Sequence, residues 1–117
     1  MKIISFARTT QALLEGKKIV TRRVWKRHNL KPGEIVQAWD KCPRVKDSKR
    51  VALIEIIWAW TEPLCAITES DVKREGGLWK DREEFIEFFL KGHPGLIRES
   101  IVYRIEFKVL TKEAKPE

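Results

Sequence analysis

The sequence predicts an α+β fold, a small β-barrel or strongly curved sheet of about five or six strands with helices at its rim. Three observations predict it. Strand-like runs alternate with helix caps and turn signals in the order β-α-β-β-β-α-α-β. Several of those runs are apolar on both sides, which favours closing the sheet on itself. The 117 residues, 43% of them hydrophobic and 35% charged, suit a single globular domain. That domain is expected over residues 1–110, with 111–117 a flexible C-terminal tail.

"KIISF" (2–6) is a β-branched run and reads as the first strand. In "TTQALLEGKK", Thr9 or Thr10 is placed to cap a short helix carrying Ala12, Leu13 and Leu14, and Gly16 supplies a left-handed stop. "IVTRRVW" (19–25) emerges from that stop as a second strand. "LKPGE" (30–34) is a turn, and "EIVQAW" behind it a third strand. The charged segment 40–50 is a loop or hairpin tip. "VALIEIIWAW" (51–60), apolar apart from Glu55, reads as a buried central strand that Pro63 ends or bends.

Two helices announce their starts. Thr68 stands three before Asp71, and Asp81 three before Glu84, both close to a capping box. The second helix, about 81–91, carries Phe85, Ile86, Phe88, Phe89 and Leu90, a face wide enough to be well buried. "GHPG" (92–95) breaks the chain. "VYRIEFKVL" (102–110) alternates cleanly, with Tyr103, Ile105, Phe107 and Val109 on one face and Arg104, Glu106 and Lys108 on a wet one.

With 24 Lys and Arg against 17 Asp and Glu, the formal charge is +7, which favours polyanionic partners, nucleic acid first. Asn29 is the only asparagine, and Gln11 and Gln37 are the only glutamines. Many charges with few thermolabile amides is a heat-adapted habit, so part of the basic excess belongs to surface ion pairs. Cys42, Cys65, His28 and His93 are scattered without ligand-like spacing. Neither a metal nor a cofactor is expected, and the cysteines read as reduced thiols of a cytoplasmic protein. No leader and no apolar run of about 18 residues points to secretion or a membrane.

The sharpest signal lies in "EGKKIVTRRVWKR" (15–27). Gly16, Lys18, Thr21 and Arg23 spell G-x-K-x-x-T-x-R at a helix–strand junction. A "KPGE" turn, a long apolar strand, "ITESDVKREG" opening a helix, and a terminal "YRIEF" strand follow in order. That series, over roughly residues 3–110, resembles the ASCH domain family, relatives of the PUA domains that fold as small β-barrels and often act on RNA. Family members commonly carry a threonine directly after the lysine, where this chain has Ile19.

The resemblance implies an RNA-related module. One branch of the family hydrolyses the acetyl amide of N4-acetylcytidine with a lysine and a threonine of this motif and a glutamate of the later helix, which match Lys18, Thr21 and Glu75. Another branch cleaves RNA, and a eukaryotic branch serves in transcriptional coactivators.

The trio is chemically coherent. A threonine hydroxyl attacks only when a base removes its proton. A lysine is that base only if burial or neighbouring cations, here Lys17, Arg22 and Arg23, pull its pKa well below about 10.4. A glutamate can protonate the leaving amine, although its charge pushes the lysine pKa back up. Residues three apart on a regular strand face opposite ways, so Lys18 is expected in the Gly16 turn, ahead of the regular strand.

Arg22, Arg23, Lys26 and Arg27, with Lys17, are candidates to grip phosphate. Trp25 is either a stacking face or a core aromatic. Trp39, Trp58, Trp60 and the Phe85–Phe89 helix read as core, and Trp79 as lying near a pocket mouth. The leading expectation is RNA or nucleotide binding between the Lys18–Arg23 strand and the Glu75 helix. The alternatives are an amidohydrolase of acylated cytidine, with Thr21 as nucleophile, Lys18 as base and Glu75 as proton shuttle, and a protein-interaction module.

Overall fold

The computed structural model describes residues 1–25 and 30–113. Its elements are β1 (Ile3–Ser5), α1 (Thr10–Leu14), β2 (Val20–Arg23), β3 (Ile35–Trp39), β4 (Arg50–Pro63), a 3-10 turn (Leu64–Ala66), α2 (Glu69–Arg74), α3 (Arg82–Gly92) and β5 (Ile101–Lys112). This is the expected order. β5 runs two residues past the expected domain edge at 110, and the Glu113 N–H still donates to Val51 O at 2.9 Å.

The strands form one mixed sheet in the order β1-β3-β4-β5-β2. β1 pairs in parallel with β3, and the other ladders are antiparallel. β1 and β2 are therefore opposite edges, although only α1 and its flanks separate them in sequence. Among the described residues no backbone ladder closes the expected barrel. The edges instead approach closely enough for the Arg23 guanidinium to donate to Ser5 O at 2.7 Å and to lie 5.1 Å over the Phe6 ring. A side chain bridges the gap where a barrel would have a ladder.

One core packs against this sheet, with Phe6, Leu13, Val36, Ile54, Ile56, Ile105 and Phe107 buried together. A second joins α2 and α3 to the sheet through Leu64, Ile67, Val72, Phe85, Ile86, Phe89 and Val102. Thr68 caps α2 by accepting from the Asp71 N–H, and Asp81 caps α3 by accepting from the Glu84 N–H, as both spacings predict. α1 differs. Thr9 occupies the cap position without a side-chain cap bond, and the Thr10 hydroxyl donates back to Phe6 O at 2.8 Å.

β4 is central but not buried throughout. A register shift between Ile56 and Trp58 turns its second half over, which leaves Trp58 53% exposed and Trp60 beside Arg104 rather than in the core. Arg104 corrects the reading of β5 as well. Its face is covered by α2, and the arginine is buried. No helix among the described residues is long and apolar enough to cross a membrane.

Candidate functional site

Lys18 owes its place to the end of α1. Gly16 takes φ +77°, which only glycine adopts without strain, and the chain reverses there. The Gly16 N–H then bonds Leu13 O at 3.1 Å and the Lys17 N–H bonds Ala12 O at 2.9 Å, a Schellman close. The Lys18 N–H reaches the same Ala12 carbonyl, and the Ile19 N–H donates to Arg74 O at 2.8 Å. Lys18 forms an isolated antiparallel bridge with Glu75, two residues before β2 begins. It therefore lies in the turn, as the geometry of the motif requires.

That bridge brings the three expected residues together. Lys18, Thr21 and Glu75 are buried, at 3%, 2% and 3% exposure, and all line one cavity of about 550 Å³. Lys18 Nζ donates to Glu75 Oε1 at 2.8 Å and to Glu75 O at 3.0 Å. Thr21 Oγ1 accepts from Arg23 Nε at 3.1 Å. Phe6, Trp79, Phe85, Phe88 and Phe89 provide aromatic walls, with Arg8, Lys91 and His93 among the other lining residues. Trp79 thus lines the cavity as its sequence position suggests. Phe85 and Phe89, expected only as core, do both jobs.

Burial is the main force lowering the Lys18 pKa. The charge and hydrogen bond of Glu75 push it back, Arg23 and Arg22 push it down again, and the net result lies below the ordinary lysine value.

Behind the cavity lies an ion network the sequence reading missed. The Arg22 side chain has no exposed surface. Its Nη1 donates to Glu75 Oε2 at 3.0 Å, and its Nη2 donates to Asp71 Oδ2 at 2.7 Å and Glu62 Oε2 at 2.9 Å. Arg104, directly across the β2–β5 ladder from Arg22, grips Asp71 through Nε at 2.6 Å and Nη2 at 2.9 Å and stacks 4.2 Å from the Trp60 ring centroid. Burial alone would raise the Asp71 pKa. The hydrogen bonds from Arg104 and Arg22 outweigh it and hold the carboxyl well below its usual range. One signal was available: Asp71 and Glu75 stand four apart on a predicted helix and so share a face. The strand register that sets Arg22 against Arg104 was not legible.

The expected phosphate-gripping group is dispersed. Arg22 borders the cavity too, but its side chain is fully buried and its Nη1 and Nη2 are held by Glu75, Asp71 and Glu62. Arg23 lines the cavity with its guanidinium engaged by Thr21 and Ser5. Trp25 packs on the first core, 6.2 Å from Tyr103 between ring centroids. Lys17 is exposed, 3.3 Å from Glu15, and lines a neighbouring groove rather than the cavity. Lys26 and Arg27 lie outside the described residues.

No protein-family profile matches the sequence, and no curated protein does either. Solved structures do match. Protein EF3133 from Enterococcus faecalis superposes with a TM-score of 0.69 at 18% identity, over 94% of this chain and 74% of that one. The ASCH domain from Lactobacillus crispatus gives 0.67 at 14%, over 92% and 79%. ASCH from Zymomonas mobilis gives 0.61 at 17%, over 91% and 65%. The mixed five-stranded sheet with a few helices matches these ASCH neighbours, and this chain has the ASCH-domain fold.

Proposed function

We propose that the cavity binds an acylated pyrimidine nucleoside of the N4-acetylcytidine type and hydrolyses its amide. One observation carries this reading: Lys18, Thr21 and Glu75 share one aromatic-walled cavity, while Arg22 and Arg23, the cations a phosphate-binding strand would offer, are engaged inside the protein. A cavity of about 550 Å³ suits a nucleoside, and aromatic walls suit a planar base.

Each residue has work that its bonds support. A neutral lysine has two N–H groups and one lone pair. Glu75 offers two acceptors to Lys18 Nζ, which leaves the lone pair for a hydroxyl proton. Arg23 Nε donates into Thr21 Oγ1, so the hydroxyl hydrogen is not needed for that bond, and the guanidinium favours the developing alkoxide. Thr21 Oγ1 attacks the acetyl carbon as Lys18 takes the proton. The carbon–nitrogen bond then breaks, and the departing nitrogen receives a proton passed by Lys18 and Glu75. Water opens the resulting acetyl–threonine ester, releasing acetate and restoring the hydroxyl.

The test is to incubate the pure protein with N4-acetylcytidine and, separately, with short RNAs. Release of cytidine and acetate, lost in Lys18→Ala, supports the hydrolase. RNA retained at low salt without turnover of any acylated nucleoside would replace it with a binding module. Silence in both assays overturns both.

A further inference from the structure

Beside the cavity opens a second hollow of about 500 Å³, bordered by Arg8, Lys17, Lys73, Glu15 and the Gly76–Gly77 pair. Arg8 lines both hollows, so the two adjoin across one side chain. We propose that this groove is a phosphate subsite and that the substrate is a phosphate ester of the acylated nucleoside. The inference rests on the nucleoside reading of the first cavity and adds the group that the substrate carries outside it.

Charge is the first argument. Three cations face one carboxylate along this groove. Glu15 is already held by Lys17 at 3.3 Å and by Gln11 Nε2 at 2.8 Å. Among the described residues, neither Arg8 nor Lys73 pairs with a carboxylate, and Arg8 instead lies 5.4 Å over the Phe88 ring of the adjoining cavity. The groove therefore holds net positive charge beside a nucleoside-sized pocket, with a guanidinium on the shared wall. Arginine and lysine together are the usual means of holding phosphate oxygens.

Shape is the second. Gly76 takes φ +131°, and a Cβ there would stand 3.1 Å from Ala12 Cβ. Gly77 follows at φ +71° and is exposed. Ala12 fills the space over Gly76, but nothing stands within 4 Å of where a Gly77 Cβ would be, so the border past Glu75 is bare main chain that an anion can approach closely at Gly77. The same turn carries Glu75 into the cavity, so the two hollows are fixed relative to one another by one short stretch of backbone.

The experiment compares N4-acetylcytidine with its 5′- and 3′-monophosphates and with a short RNA carrying the same base, in the parent protein and in a Lys17→Ala, Lys73→Ala double variant. The parent is expected to favour one monophosphate over the nucleoside by roughly tenfold in kcat/KM, mostly through KM, with added salt eroding the preference. The double variant is expected to bring that ratio close to one. RNA preferred over both monophosphates marks a chain phosphate as the source, and a monophosphate preferred marks a free nucleotide. A parent ratio near one, or a ratio that survives the double substitution, overturns the subsite. If no acetylated compound is turned over, the hydrolase reading has failed. Binding of cytidine 5′- and 3′-monophosphate against cytidine then decides the groove, with equal affinity counting against it.

Discussion

Lys18 Nζ donates to both the side chain and the main chain of Glu75, at 2.8 Å to Oε1 and 3.0 Å to the carbonyl oxygen, across 57 positions of sequence. The ammonium is therefore held by the carboxylate and by the backbone that carries it. Glu75 Oε2 is simultaneously bonded by Arg22, so the lysine rests on a carboxylate that cannot swing away.

A lysine whose folded pKa is lowered works as a base once the pH exceeds that folded value. Activity is expected to rise with pH and level off before about 10.4, and a pH–rate profile checks it. The same shift affects stability with a definite sign. Between the lowered folded value and the unfolded one the unfolded chain binds more protons, so the Lys18 contribution to stability improves as pH rises through that window. Denaturant midpoints for the parent and Lys18→Met, measured across the alkaline range, separate this term from the rest.

Asp71 gives a slope of the same sign at the acid end. Its pKa is depressed in the folded state, so its contribution is present above about pH 3.9 and is lost as pH falls towards the folded value. Asp71→Asn is expected to flatten the acid limb of the stability curve. Removing Arg22 reaches further, because it leaves Glu75, Asp71 and Glu62 without a shared cation in a buried setting. Arg22→Met should cost about 3–5 kcal/mol in chemical denaturation.

Thr21→Val removes the proposed nucleophile and leaves Arg23 Nε without that acceptor. A stability loss of about 1–2 kcal/mol is expected, against a loss of turnover on the order of 10³-fold or more. Thr21→Ser keeps the hydroxyl and should retain measurable activity. Acid quenching during turnover should leave an acetyl mass on the peptide containing residue 21 in the parent and on none in the valine variant.

Gly76→Ala tests the turn that carries Glu75. The new Cβ would stand 3.1 Å from Ala12 Cβ with φ at +131°, so the strain falls on the contact between α1 and the turn after α2. A loss of about 1–3 kcal/mol is expected by thermal or chemical unfolding. Activity should fall more than at Gly77, where an added Cβ would meet nothing within 4 Å.

The element order, both α2 and α3 caps and the Gly16 turn were legible in the sequence because each rests on local chemistry: a cap three residues from its partner, a glycine at a reversal. The convergence of Lys18 with Glu75 was legible only through the motif series, since nothing local predicts a bridge across 57 positions. Arg104 was misread as solvent-facing because strand alternation shows which residues share a face but not what covers it, and here α2 covers it with Asp71. Trp58 was misread as core because a register shift inverts β4 at a point that sequence does not mark. Closure of the barrel by a ladder is not seen among the described residues, for a related reason. Hydrophobic patterning favours curling a sheet but does not say whether its last two edges meet by ladder or, as with Arg23 and Ser5, by a side chain.

The most direct test of the proposed catalytic role of the shared cavity is cytidine release from N4-acetylcytidine by the parent protein, Lys18→Ala, Thr21→Val and Glu75→Gln, with each variant's fold verified by circular dichroism. The account predicts steady release by the parent and at least a hundredfold slower release by every folded variant. Turnover that persists in folded Thr21→Val, or a parent that releases no cytidine at any pH up to about 10, would contradict it.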